Sequence, residues 1–191
     1  TDGEDKTGEK FLVEAMKILS DQQLVAATHV AGKKEINMRA TDSAGVLTLN
    51  AAARTVIFKK LCAEGVEFTC LDGIIIEPSV KIGAGTQILP GTIIKGKTEI
   101  GENCVIGPNS LIEDSKIGDG VEVNATQIRS SVLEKDVKIG PWSHVRPGCV
   151  IHEGCKIGDY VEIKNSEVGA RTAVAHLTYI GDADVGEAVN F

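Results

Sequence analysis

An aliphatic residue recurs every six positions from residue 76 onward, and that period decides what this chain can fold into. Stepping by six from Ile76 gives Ile82, Ile88, Ile94, Ile100, Ile106 and Ile112; a step of five reaches Ile117, then Val123, and short steps lead through Ile128 and Leu133. Steps of six resume at Ile139, Val145, Ile151, Ile157 and Ile163, followed by Val168, Val174, Ile180, Val185 and Phe191. Of these 21 rungs, 20 are Ile, Val or Leu. Neither the period of an amphipathic helix nor the alternation of a half-buried strand makes such a pattern. A six-residue unit fits a short flat strand and a turn, with one large aliphatic pointing into a narrow prism. Three units close a triangular coil, and successive coils pair as parallel ladders.

The residue four after a rung is often small (Thr86, Thr92, Thr98, Cys104, Ser110, Ser143, Cys149, Cys155), a size suited to the inside of a corner. Glycine often follows the rung, as at Gly83, Gly101, Gly107, Gly118, Gly140, Gly158, Gly169, Gly181 and Gly186, where it is expected to permit unusual φ at the corner. The predicted fold is mainly β, a left-handed parallel β-helix of hexapeptide repeats over 71–191. An aromatic content of 4% fits so thin a prism.

Residues 1–70 read as a small α/β segment with a connecting helix. Phe11, Leu12, Ala15, Met16 and Leu19 share a helical face, and Leu24–Ala31 is an apolar run of buried-strand type. Leu47–Glu64 carries Leu49, Ala53, Val56, Ile57 and Leu61 as a stripe, with Gly65 as its C-terminal cap. The first residue is Thr rather than Met, and the last, Phe191, is itself a rung with no capping segment after it. The sequence is therefore expected to be a piece cut at both ends.

Net charge of −7 argues against a nucleic-acid surface, and no apolar run approaches the length of a membrane span. Thr1–Lys10 is charged and has no apolar core of a signal peptide, so a soluble cytoplasmic protein is expected. The five cysteines are odd in number and lack CxxC spacing, which points to reduced thiols rather than disulfides or zinc. Gly83-Ala84-Gly85 and Gly118-Asp119-Gly120 fall in the hexad register with no GKS or GKT after them, so they are not read as phosphate loops. His144, His152 and His176 stand five, one and two residues after their rungs; side chains at different phases point different ways, and no metal centre is assigned to this chain.

The richest stretch is Ile139–Asn190. Arg146 and Lys164 are 18 residues apart, one full coil, so they should stack on one face and could hold a phosphate, the arginine in bidentate fashion. His176 and Tyr179 lie in the next coil, and a histidine among polar neighbours beside a phosphate clamp can serve as a general base.

RPG at 146–148, VEIKNS at 161–166 and AHLTYIGDADVGEAVNF at 175–191 resemble the acetyltransferase domain of the bacterial bifunctional N-acetylglucosamine-1-phosphate uridyltransferase / glucosamine-1-phosphate N-acetyltransferases. The resemblance covers about 74–191 well. Residues 1–70 resemble, more loosely, the end of that family's nucleotidyltransferase domain and its linker helix. It implies His176 as catalytic base, Arg146 and Lys164 gripping the sugar phosphate, Tyr179 and Asn190 contacting the sugar, and Glu162 beside them. It further implies acetyl transfer from acetyl-CoA to glucosamine-1-phosphate, and in the parent protein uridylyl transfer from UTP to GlcNAc-1-phosphate with Mg2+. The product, UDP-N-acetylglucosamine, serves peptidoglycan and lipopolysaccharide synthesis in cell-wall biogenesis. The family works as a homotrimer with sites between subunits, so one chain would not complete a site.

The chain departs from the family in three places. The Gly-rich nucleotide-binding start is missing. Around Arg39–Ser43 it reads RATDS, with Thr41 where the family has an Asn that helps bind magnesium, which weighs against uridyltransferase metal binding here. The family's sequence beyond Asn190 supplies a substrate lysine and most acetyl-CoA contacts; the present piece is accordingly expected to have little activity. Two other readings use the same hexads: a sugar nucleotidyltransferase whose β-helix only regulates or assembles, and a non-catalytic scaffold. His176 in AHLTYIGDA favours the enzyme, since a structural helix has no need of it.

Overall fold

Each hexad makes a strand of two to four residues, and the 21 strands of the described residues sort into three seven-stranded parallel sheets. The computed structural model describes residues 42–191 together with Asp21 and Ala40. The expected helix at Phe11–Leu19, the strand at Leu24–Ala31 and Thr41 lie outside the described residues.

The first sheet runs from Glu67–Phe68 to Ala173–His176, the second from Ile75–Ile76 to Tyr179–Gly181, the third from Lys81–Ile82 to Asp184–Val185. Register follows the rungs: Ile76 pairs with Ile94, Ile112 with Ile128, Val145 with Ile163, and Ile163 with Ile180. Every rung from Ile76 to Ile180 is buried. The series is displaced by one at each end, however. It begins at Phe68, which pairs with Ile88, and an eight-residue step hid it from the hexad count. Phe191 is 53% exposed instead of an inward rung; it follows the isolated bridge of Asn190 rather than belonging to a strand, with its N–H on the Ala173 carbonyl at 3.0 Å.

The small corner residues are buried as expected and are also polar connectors. The Thr86 hydroxyl donates to the Gly101 carbonyl at 2.8 Å and accepts the Cys104 N–H at 3.0 Å. Ser131 accepts from the Cys149 N–H at 3.2 Å and donates to the Arg146 carbonyl at 2.9 Å. These groups satisfy corner amides that turn out of the ladders. All five cysteines are free; burial pushes the Cys104 and Cys155 thiols up, and each donates to a carbonyl.

The glycines after the rungs serve a different purpose from the one expected. Only Gly107 and Gly140 among them have positive φ. At Gly83, Gly101, Gly118, Gly158 and Gly169 a Cβ would strike the next coil, 2.7 Å from the Lys135 nitrogen on Gly118 and 2.6 Å from the Gly101 carbonyl carbon on Gly83; at Gly181 it would meet Tyr179, and at Gly186 it has room. Close stacking, not backbone strain, selects glycine there. The left-handed corner positions fall instead on residues such as Asn103, Asp114, Asp136 and Asn165, whose short polar side chains tolerate them.

Helix α1, Ser43–Ala63, closes the beginning of the prism. Asp42 caps it, its carboxylate accepting the Gly45 N–H at 2.7 Å. At its end Val66 N–H bonds Leu61 carbonyl at 3.0 Å and Gly65 N–H bonds Cys62 carbonyl at 3.1 Å, with Gly65 at φ 90°, a Schellman cap. The buried stripe is Ile57, Phe58 and Leu61: Ile57 and Leu61 stand as expected, whereas Val56 is 54% exposed and Phe58 faces the core in its place. Phe58 meets Phe68 edge-on at 5.2 Å, which joins helix to first coil.

On the third sheet His152 clasps three coils. Its Nε2 is 2.6 Å from Glu167 and its Nδ1 3.1 Å from Glu134, one carboxylate on the coil after and one on the coil before. Both ring nitrogens can donate only in the imidazolium. The Glu167 hydrogen bond, with Glu134 adding, outweighs desolvation and raises the His152 pKa.

Two outcomes are expected. Gly118→Ala should destabilise the fold by about 1–3 kcal/mol, since backbone cannot step aside, whereas Gly186→Ala, with only Val189 at 4.0 Å, should leave the thermal midpoint unchanged. For His152 the folded pKa lies above the unfolded value, so its stabilisation is full below about pH 6.5 and is lost as pH rises through the folded pKa. Thermal melts of wild type and His152→Gln should therefore differ most in acid and converge in alkali.

Candidate active site

The second sheet presents two outward columns on either side of its buried rungs. One column holds Gln127, His144, Glu162 and Tyr179, which are Cα partners in successive strands. The other holds the residues just after the rungs: Lys95, Glu113, Arg129, Arg146 and Lys164. Neighbouring parallel strands lie about 4.8 Å apart, so each column is a vertical series of side chains at that spacing.

Arg146 and Lys164 follow the paired rungs Val145 and Ile163, and so stack on adjacent coils as the 18-residue spacing predicts. Each is already engaged. Arg146 Nη1 donates to Glu162 Oε1 at 2.9 Å, and Lys164 Nζ lies 3.4 Å from Asp182 Oδ2. Asn165 Nδ2 donates to the other Asp182 oxygen at 2.8 Å. That bond, then Lys164, holds the Asp182 carboxyl below the usual carboxylate range. Burial pushes the His144 imidazole below its usual range; Glu162 opposes this, while Arg129 and Arg146 add to it.

His176 ends the strand Ala173–His176 of the first sheet, is exposed, and is the Cα partner of Asp159. Leu177, at φ 51°, then turns the chain so that Tyr179 opens the last strand of the second sheet. His176 thus stands at the corner between the first two sheets. The same corner carries Trp142 and Tyr160, both at φ 56°, with rings stacked 5.3 Å apart and 61% and 54% exposed. Bulky residues in left-handed conformation are sparsely populated and cluster where a fold spends stability on a site.

Four of the six sequence-predicted residues, Arg146, Glu162, Lys164 and Tyr179, share the second sheet. His176 lies at its edge. Asn190 does not join them: it bridges to Ala173 on the first sheet. Asp182, Asn165 and Arg129 also belong to this region and were missed, and His144, weighed only as a metal ligand, joins them. Their signal was present, since Arg129 follows rung Ile128 as Arg146 follows Val145, and Asp182 stands 18 residues after Lys164. His144, His152 and His176 fall on three different sheets or corners, and the described residues contain no group of three or more His, Cys, Asp or Glu able to hold a metal ion. No helix of the described residues is long and apolar enough to cross a membrane.

The family model for the EIF2B subunit epsilon LbH domain matches residues 64–163. The bifunctional protein GlmU of Halalkalibacterium halodurans is 36% identical over 184 residues, covering 96% of this chain and 40% of that protein. GlmU of Synechococcus elongatus is 41% identical over 187 residues, covering 95% of this chain and 39% of that protein. The chain therefore spans about two fifths of the length of the curated relatives it matches. Among solved structures, LpxA from Acinetobacter baumannii aligns with a TM-score of 0.43 and 16% identity over 62% of this chain and 65% of that one.

The Arg146 and Glu162 side chains are 40% and 43% exposed, so their ion pair should add less than about 1 kcal/mol to stability. Arg146→Ala is accordingly expected to shift the thermal midpoint little; a large loss of stability in the melt would contradict this.

Proposed function

The chain belongs to the left-handed β-helix family represented by the EIF2B subunit epsilon LbH domain, and on that premise we propose that it is the acetyltransferase part of a GlmU-type enzyme. The reaction is acetyl transfer from acetyl-CoA to the C2 amine of glucosamine-1-phosphate. The observation that carries this reading is the stacking of Arg146 and Lys164 on adjacent coils with Glu162 and Tyr179 beside them. Two cations at that spacing suit a phosphomonoester, and the neighbouring hydroxyl and carboxylate suit sugar hydroxyls and an amine.

In this reading Arg146 and Lys164 hold the phosphate, which exchanges their pairing with Glu162 and Asp182 for pairing with substrate. Tyr179 and Glu162 orient the sugar. The neutral amine attacks the thioester carbonyl; an N–C bond forms, the C–S bond breaks, and CoA leaves as a thiolate. His176 takes the proton that the amine sheds and returns it to the thiolate. Asn190 acts on the sugar from the first sheet. Because it stands on a different face from the cation pair, a site using both is best supplied by two copies, which supports a site shared between subunits, as a homotrimer would provide. Uridylyl transfer from UTP to GlcNAc-1-phosphate, with Mg2+, belongs in this reading to the full-length protein, a soluble cytoplasmic enzyme of UDP-N-acetylglucosamine synthesis that supplies the cell wall.

Acetylation of glucosamine-1-phosphate by the full-length protein tests the assignment. His176→Ala should lower kcat by about 10²–10⁴-fold with little change in KM, as loss of a general base does. Unchanged turnover would remove His176 from the reaction.

A further inference from the structure

Three carboxylates face four cations across the two outward columns of the second sheet and the corner beside them. Glu113 serves Lys95 at 3.0 Å, Glu162 serves Arg146 at 2.9 Å, and Asp182 lies 3.4 Å from Lys164. The fourth cation, Arg129, shares Glu113 with Lys95, its Nε 3.5 Å from the carboxylate. Arg129 follows rung Ile128, the Cα partner of Val145, so it lies one coil before Arg146 in the column and about 10 Å, two coil spacings, from Lys164.

We propose that Arg129 is a third cation of the phosphate site, closing on the phosphomonoester of the sugar substrate beside Arg146 and Lys164. A phosphomonoester is close to a dianion at neutral pH. Arg146 and Lys164 are each neutralised by a carboxylate before substrate arrives, so the pair alone offers it little net charge. Arg129 supplies the positive excess of the column. It is 37% exposed, which leaves its guanidinium free to swing from the shared Glu113 toward the next coil. It also presents a planar fork that can take two phosphate oxygens at once. His144, in the neighbouring column, does not substitute for it, since burial and the two arginines disfavour its charged form. The proposal rests on the reading of glucosamine-1-phosphate as substrate.

Steady-state kinetics of the full-length protein with glucosamine-1-phosphate and with unphosphorylated glucosamine separate the possibilities. Arg129→Gln should raise KM for the phosphorylated sugar about tenfold, leave kcat and the KM for acetyl-CoA within about twofold, and leave kcat/KM for glucosamine unchanged; Arg129→Lys should recover part of the loss. Lys95→Gln, two coils away in the same column and already paired, should change none of these. If Arg146→Gln raises KM for the phosphorylated sugar and Arg129→Gln does not, the third cation is refuted and the substrate reading stands. If neither does, the substrate reading itself fails. An equal loss with glucosamine would show Arg129 to be merely structural and would equally overturn the proposal.

Discussion

One inward aliphatic per strand, stacked on its counterpart in the coil before and the coil after, is the contact on which the rest of this structure depends. A column such as Ile112, Ile128, Val145, Ile163 and Ile180 is fully or almost fully buried, and each member is the Cα partner of the next. Burial of these side chains sets the phase of every coil, because a slip by one residue would turn the aliphatic out and a polar residue in. The outward residues inherit that phase. Arg146 and Lys164 stand one above the other because Val145 and Ile163 do, and no contact between the two cations is needed to hold them there. Repulsion within the column is met by carboxylates set into the same or the neighbouring coil.

The corners solve the complementary problem. A triangular prism must turn sharply, and each turn takes backbone amides out of the ladders in a place that water does not reach. Buried hydroxyls such as those of Thr86 and Ser131 meet that need by accepting an N–H from one coil while donating to a carbonyl, and the buried thiols donate to carbonyls, so the interior edges carry their own polar seams. Among the buried side chains described, Thr92 alone has a hydroxyl without a partner. Its methyl still fills the corner, which is reason enough for threonine over serine at a site that gains nothing from the hydroxyl.

The ladder was legible in the sequence because a single buried side chain per hexad writes an unambiguous period, and the small corner residues were legible for the same reason. Phe68 was not, since the loop before Ile76 breaks the six-residue step. The glycines after the rungs were found but misjudged: along one dimension, a glycine needed for φ and one needed for clearance from the next coil look alike, and the clearance at Gly118 or Gly83 exists only once coils stack. In helix α1 the stripe was displaced toward Val56, because the surface that selects Phe58 is Phe68, a residue the repeat had not reached. In the site, the stacking of Arg146 and Lys164 could be counted from their spacing. Their engagement with Glu162 and Asp182 could not, since it depends on side-chain reach between coils. Asn190 was grouped with the others by the family resemblance alone, which says nothing of the face on which it stands, and the fold carries it round to the first sheet.

Coil length varies where coil phase does not. Ile94 comes 18 residues after Ile76, Ile128 only 16 after Ile112, and Val145 17 after Ile128, yet all three pairs are in register. The shortfall is absorbed at the corners, outside the strands. Such a scaffold tolerates the gain or loss of a residue at a bend as a local event, and the functional columns above and below keep their alignment. Sequence length is thereby uncoupled from the geometry of the working face, so a lineage can edit the rim of the prism without re-aiming the side chains displayed on its sides.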